Sequence, residues 1–290
     1  MREITPTLGA AHAEVLRTLR NLSHIACPEE AAGAVLEIVA GARRQDALAD
    51  PERELPEPHR ERLMAVLRRA SAGMPLAYAL GECFFAGRRF SVTREVLIPR
   101  PDTETLLAAA HSWALAQARP MVVAEVGVGS GAVIISLAAG LAGCNCKFFG
   151  TDTSPAALAV ASRNAERHGV QVELLHGSVL EPLPADTPLD LILSNPPYIA
   201  EGDEVEETVR RWEPREALMV PPGAPGTYYH RLIAQQAPER LRSGGALMLE
   251  VGQGQAGEVA ALLTEAGYSK VETACDLGGT ERVVRGEWCG

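Results

Sequence analysis

The sequence predicts an α/β protein whose mostly parallel sheet is covered by helices on both faces, preceded by a small helical domain and a β-hairpin connector. Three observations carry that expectation. Apolar residues recur at helical spacing from Leu8 to about Ala70; an aromatic and β-branched texture follows between Tyr78 and Ile98; and beyond Met121 short apolar runs alternate with helical segments.

In the first part the recurring residues are Val15, Leu16 and Leu19, then Val35, Leu36 and Val39, then Leu63, Val66 and Leu67, a pattern of three or four short packed helices. Breaks fall at Pro28, across Pro51 to Pro58, and at Gly73-Met74-Pro75, so residues 1–75 are expected to form the first domain. Residues 76–100 are the connector: Phe84, Phe85, Phe90, Val92, Val96 and Leu97 surround Gly87 as in a hairpin. Pro99 and Pro101 close it, and Asp102 or Thr103 is positioned to cap a helix through Leu106, Leu107 and Trp113.

Residues 101–290 make the second domain. Met121 to Val126 reads as a strand, Ala132 to Leu141 as a helix, and Cys146 to Thr151 as the next strand. Ser154-Pro155 supplies an N-cap and a favourable first helical residue for a helix running to about His168. Val172 to Leu175 and Leu189 to Leu193 are further strands, followed by a long irregular segment. A helix over Tyr228 to Leu241, a strand Ala246 to Val251, a helix Gln255 to Ala266 and strands near Val271 to Ala274 and Arg282 to Val284 complete the pattern. Alternation of this kind implies parallel strands buried on both faces.

A chain of 290 residues with 47% hydrophobic and 22% charged residues is ordinary globular composition, which excludes a largely disordered or collagen-like chain. The longest weakly polar stretch, Ala132 to Gly143, is too short to cross a bilayer, and Met1 to Pro6 leads into polar sequence without the apolar core of a secretory leader, so a cytoplasmic protein is expected. The six cysteines are scattered; Cys144 and Cys146 stand too close for a zinc knuckle, and His111, His168, His176 and His230 do not group with other ligands, so no metal site is expected. Residues 1–75 hold ten Arg against eleven acidic residues, leaving almost all of the net charge of −10 to the rest of the chain. A strongly negative domain repels polyphosphate, which disfavours nucleic acid as a partner.

Two constellations carry chemistry. Glu125-Val126-Gly127-Val128-Gly129-Ser130-Gly131 joins a strand to a helix, where free N–H groups and absent Cβ atoms let a ligand approach the main chain. Asp152, at the end of the next strand, is placed to accept both hydroxyls of a ribose. The glycine spacing differs from the Gly-x-Gly-x-x-Gly dinucleotide fingerprint, and no Gly-Lys-Ser or Gly-Lys-Thr of a P-loop occurs, so an adenosyl ligand without a pyrophosphate fits better. Asn195-Pro196-Pro197-Tyr198 follows the strand Leu189 to Ser194, and this chain's composition yields only about 3 × 10⁻⁴ chance occurrences of that tetrapeptide. Two prolines stiffen the backbone and remove competing N–H groups, so the Asn195 side-chain oxygen and the Pro196 carbonyl can each accept a hydrogen from a substrate –NH₂. Tyr198 offers a flat face to a planar amide or base.

At these residues the sequence resembles the Class I S-adenosylmethionine-dependent methyltransferases, and within them the PrmC/HemK protein-(glutamine-N5) methyltransferases. The resemblance runs from about Leu80 to Gly286. Its blocks are Gly81, Phe84 to Gly87 and Phe90, then Val96 to Glu104, Glu125 to Gly131, Asp152 to Ser154 and Asn195 to Ile199, followed by Trp212 to Pro214, Leu249 to Gly252, Asp276 to Gly278 and Arg282 to Val284.

The resemblance implies a Rossmann-like sheet, S-adenosyl-L-methionine as cofactor with S-adenosyl-L-homocysteine as product, and class I peptide-chain release factors as protein substrates. It further implies transfer to the side-chain nitrogen of the glutamine in a Gly-Gly-Gln motif. Glu125, Gly127, Val128, Gly129, Ser130, Gly131, Asp152, Val179 and Asn195 would be the cofactor-binding residues, and Asn195, Pro196, Pro197 and Tyr198 the catalytic ones. Glu125 stands where the family commonly has Asp, Ser178-Val179 where it has an acidic residue and an aromatic, and Trp212 where it has Tyr. In-line methyl transfer to the amide is the expected reaction, with the N-terminal helices recognising the body of the substrate. Two other readings stay open: an N6-adenine or N4-cytosine nucleic-acid methyltransferase, because the tetrapeptide also suits an exocyclic base amine, and a non-catalytic cofactor-binding adaptor.

Overall fold

The break expected at Pro28 falls just before it, at residues 21–27, and Pro28 itself opens the next helix, because the first helical position has no intrahelical partner for its N–H. The computed structural model describes residues 6–290, so the reading of the opening residues as lacking a leader falls in part on Met1 to Thr5, outside the described residues. The chain divides into two units, one comprising residues up to Phe84 together with Glu206–Trp212, the other Phe85–Val205 with Glu213–Gly290.

The smaller unit contains α1 (Leu8–Arg20), α2 (Pro28–Ala40), α3 (Arg44–Ala49), α4 (Glu57–Ser71) and α5 (Leu76–Leu80). Their apolar faces meet around Leu8, Val15, Leu19, Val35, Leu36, Leu63 and Leu67, the residues at helical spacing in the sequence. Gly41, in the left-handed region, ends α2. Tyr78 to Leu80, expected in the connector, instead form the end of α5, which Gly81 closes at a φ of 78°.

The hairpin consists of β1 (Glu82–Phe85) and β2 (Arg88–Ser91), joined through Ala86 and Gly87, both at positive φ as the tightest hairpin turns require. A 3₁₀ turn, Pro101–Thr103, leads into α6 (Glu104–Gln117). Neither Asp102 nor Thr103 caps it as expected: Thr103 is the N-cap residue but has right-handed helical backbone angles, and its side chain makes no cap hydrogen bond.

The larger unit then builds the sheet from β3 (Val122–Val126), β4 (Lys147–Asp152), β5 (Glu173–His176), β6 (Leu189–Ser194), β7 (Leu241–Glu250), β8 (Ser269–Cys275) and β9 (Glu281–Glu287). Their order is β5-β4-β3-β6-β7-β9-β8, with β9 alone running against the others. The intervening helices are α7 (Ala132–Gly140), α8 (Pro155–His168), α10 (Tyr228–Gln236) and α11 (Ala256–Glu265), while α9 (Glu207–Trp212), between β6 and α10 in the chain, belongs to the smaller unit. Helix α9 lies in the segment expected to be irregular. In α8 the Ser154 hydroxyl accepts from Ala157 N–H at 3.2 Å, as the Ser-Pro pair predicts.

One expected helix is too long. Pro238 interrupts α10, a 3₁₀ turn over Ala237–Glu239 follows, and Leu241 already belongs to β7. Central strand β6 is buried along its whole length, Asp190 included. The Asp190 carboxylate accepts Val122 N–H at 2.7 Å and pairs with Arg119 at 2.8 Å, so the buried charge anchors the start of β3.

Candidate active site

Strand order reverses between β3 and β6: the chain builds outward through β4 and β5 and then returns to the other side of β3. The carboxyl ends of strands at such a point form a crevice. The registers Val126↔Thr151 and Val126↔Ser194 bring the ends of β3, β4 and β6 level there. A cavity of about 480 Å³ opens at this edge, large enough for a cofactor-sized ligand.

The glycine segment forms one wall. Gly127, Gly129 and Gly131 have φ values of 71°, 52° and 80°, where a side chain is strained. At Gly131 a Cβ would also stand 2.5 Å from Ile135 Cδ1. The loop is held from beneath: Gly127 N–H and Val128 N–H both point at the Thr151 carbonyl at 2.9 Å, and Asn164 Nδ2 donates to the Ser130 carbonyl at 2.8 Å.

Two carboxylates brace the same loop. Asp152 accepts Gly129 N–H on one oxygen and Ser154 N–H on the other, each at 2.9 Å, which leaves lone pairs on both oxygens for ligand hydroxyls. Glu125 Oε2 accepts Ile134 N–H at 2.9 Å in the first turn of α7. Burial pushes the Glu125 carboxyl up to about 8, with Asp152 and Glu250 adding repulsion while the Ile134 N–H opposes the rise. A buried acid of this kind gains most from a cationic ligand.

Val179 faces the same space and holds an unusual backbone. Its φ of 48° is strained for a β-branched residue, and Thr151 Oγ1 donates to its carbonyl at 2.7 Å. Here the distortion borders a ligand cavity.

The second constellation lies across from the first. Asn195, Pro196 and Pro197 line the same cavity as Glu125, Gly127, Val128, Gly129, Ser130, Asp152 and Val179. Asn195 Nδ2 donates to Thr103 Oγ1 at 3.2 Å. Behind them Glu250, at the end of β7, is 3% exposed and lies within electrostatic reach of Thr103 and Asn195. Tyr198 is not among the lining residues: its ring lies by Gly252 and its carbonyl accepts from Gln255 Nε2 at 3.1 Å. Gly131 likewise stands behind the loop, against Ile135.

Sequence reasoning missed several residues here. Arg100, Thr103, Glu216 and Tyr229 also line the cavity. Glu213 is buried, pairs with Arg100 and accepts Ile98 N–H at 3.1 Å, so the Trp-Glu-Pro block fastens the segment that carries Pro99 and Arg100 to the wall. The motif blocks contained Thr103, Glu213 and Glu250, but only tertiary contacts reveal what they hold.

A family described as the PrmC N-terminal domain matches residues 11–81, and one described as a methyltransferase domain matches residues 123–213. Among curated relatives, a release factor glutamine methyltransferase of Bordetella pertussis is 41% identical over 260 residues, covering 89% of this chain and 94% of the relative. One of Geobacter sulfurreducens is 45% identical, covering 76% of this chain and 75% of its own. One of Nitratidesulfovibrio vulgaris, 35% identical, covers 95% and 96%. Of solved structures, a methyltransferase from Pyrococcus furiosus aligns with a TM-score of 0.52 at 18% identity, over 79% of this chain and 99% of that one. A T. thermophilus 16S rRNA N2 G1207 methyltransferase, in complex with AdoMet and guanosine, aligns with a TM-score of 0.52 at 19% identity, over 71% of this chain and 49% of that one. At such identities the likeness concerns the fold.

Proposed function

Because the chain belongs to the release factor glutamine methyltransferase family, we propose that it transfers a methyl group from S-adenosyl-L-methionine to the side-chain nitrogen of the glutamine in the Gly-Gly-Gln motif of class I release factors. Its larger unit has the Rossmann-like fold of the Class I methyltransferases. The observation that carries the reading is that Asn195, Pro196 and Pro197 line one cavity with Gly127, Gly129 and Asp152.

The residues present suit the cofactor. Asp152 has lone pairs free for ribose hydroxyls, the glycines leave the main chain open to a methionine portion, and Val179 supplies an apolar contact for the adenine. Buried Glu125 offers a counter-charge to a cation. When bound, S-adenosyl-L-methionine supplies an electrophilic methyl on a sulfonium and is converted to S-adenosyl-L-homocysteine.

The rest is done by this chain. An amide nitrogen is a weak nucleophile because its lone pair is delocalised. The Asn195 side-chain oxygen and the Pro196 carbonyl accept its two hydrogens, orient it, and stabilise positive charge that develops on nitrogen until one of the two N–H protons is released to solvent, leaving the neutral N-methyl amide. The stiff Pro196-Pro197 backbone keeps those acceptors in place without reorganisation. Residues 1–75 form the domain we assign to recognition of the substrate's body, with residues 76–100 the connector and 101–290 the catalytic domain. No helix among the described residues is long and apolar enough to cross a membrane, and a cytoplasmic location suits this substrate class.

The test is intact-mass analysis of an unmethylated release factor incubated with the protein and S-adenosyl-L-methionine, followed by fragmentation. One added methyl on the Gly-Gly-Gln glutamine is expected, and a Gly-Gly-Gln peptide should require a much higher KM than the whole factor. No mass change, with cofactor binding demonstrated, overturns the reading and moves attention to an exocyclic base amine as acceptor.

A further inference from the structure

Glu250 is a buried acid that the mechanism above does not use. It is 3% exposed, it does not line the cavity, and its Oε2 has no hydrogen-bond partner within the protein. An unpartnered carboxylate oxygen costs free energy at such a depth, so its retention beside the acceptor site calls for a function.

We propose that Glu250, with Thr103 as intermediary, is the positioning residue that fixes which end of the Asn195 carboxamide faces the cavity, and so makes the site an acceptor for substrate –NH₂ groups. The inference rests on the reading of Asn195 given above.

The hydrogen-bond inventory supports one orientation. Thr103 Oγ1 accepts from Asn195 Nδ2 at 3.2 Å, which leaves its single hydroxyl proton to point toward the adjoining Glu250 carboxylate. Glu250 also adjoins Asn195. Ionised, it can only accept, so it favours Nδ2 over Oδ1 on its side. Turning the carboxamide over would set Oδ1 against an anionic acceptor and strand the two hydrogens of Nδ2. Nδ2 is therefore held inward and Oδ1 is left for the substrate.

The groups around Glu250 leave this arrangement intact. Asp102 of the 3₁₀ turn and Arg282 of β9 face it, but Arg282 is engaged by Asp102 at 2.6 Å and Asp276 at 2.9 Å. Tyr198 after β6 and Glu125 of β3 are also within electrostatic reach. From α10, His230 Nε2–H donates to the Glu250 main-chain carbonyl at 2.8 Å. Burial pushes the Glu250 carboxyl up to about 7, with Asp102 adding to the rise and the Thr103, Arg282 and Asn195 contacts opposing it. Once protonated it can donate, and the inverted Asn195 is no longer penalised.

The experiment compares wild type, Glu250→Gln, Thr103→Val and Thr103→Ser as full chains. Glu250→Gln and Thr103→Val should lose ~10- to 100-fold in kcat, the range typical when a supporting partner is removed, with KM and cofactor Kd within about threefold. Thr103→Ser, which keeps the hydroxyl, should recover most of the kcat lost in Thr103→Val. The wild-type kcat should rise through neutral pH, and that limb should be absent in Glu250→Gln. Independently of turnover, the side-chain amide ¹⁵N–¹H pair of Asn195, identified by its loss in Asn195→Asp, should titrate near neutrality in wild type and stay flat in Glu250→Gln. Wild-type kcat or an unchanged pH limb in Glu250→Gln, or an Asn195 pair that ignores pH in wild type, overturns the proposal. If the release factor is not a substrate at all, the function reading fails while the amide titration still decides the role of Glu250.

Discussion

Asn164 grips the backbone of Ser91 on both sides, its Oδ1 accepting Ser91 N–H at 2.7 Å and its Nδ2 donating to the Ser91 carbonyl at 3.0 Å. The same Nδ2 reaches the Ser130 carbonyl, so one fully buried side chain of α8 ties the hairpin strand β2 to the glycine loop. Asn164→Ala strands these groups without water, at about 1–3 kcal/mol each. A loss of about 3 kcal/mol in unfolding free energy by urea titration is expected, with weaker cofactor binding by calorimetry.

Gly127 and Gly131 should respond differently to alanine. At Gly127 a Cβ meets nothing within 4 Å, so Gly127→Ala carries only the strain of its positive φ, about 1–2 kcal/mol. Gly131→Ala adds the overlap with Ile135, whose side chain is itself buried. Thermal melts should place Gly131→Ala below Gly127→Ala. The reverse ranking would mean that the loop relaxes around the added methyl.

Glu125 couples cofactor affinity to pH. Its carboxyl, raised to about 8, is mostly protonated at neutrality and becomes the stronger partner for a cation once ionised. Affinity for S-adenosyl-L-methionine should therefore climb between pH 6 and 9 by roughly tenfold per unit at most below that value, with proton release visible as buffer-dependent binding enthalpy. Glu125→Gln should flatten the curve.

The same buried acids govern stability in the opposite sense. Glu125 and Glu250 are raised from 4.5 to about 8 and about 7, so between these limits the folded state binds more protons than the unfolded. Unfolding free energy should fall as pH rises from about 4.5 to 8, by at most about 1.4 kcal/mol per unit for each group. Melting curves from pH 5 to 8 check this, and Glu125→Gln should reduce the slope.

What could be read from the sequence was local. Gly127 to Gly131, Asp152 and Asn195-Pro196-Pro197 are short motifs at strand ends, and strand ends in an alternating pattern converge on one edge. Thr103 was misread because a threonine before a helix is ordinarily its cap; only the fold brings Asn195, 92 residues later, to its hydroxyl. Val179 has no sequence mark of its left-handed backbone, since valine is among the residues least suited to it. Pro238 did mark the end of α10, but the apolar Leu241 beyond it continued the helical spacing and masked the start of β7.

Strand β9 pairs with β7 on one side and β8 on the other, although β8 precedes it along the chain. During synthesis the free edge of β7 must therefore wait: the ladder of N–H and C=O groups from Ala246 to Glu250 has no native neighbour until Glu281–Glu287 arrive and slot between two strands already made. The nascent sheet carries an open flank through that interval, the state in which strand edges are most apt to recruit a foreign chain.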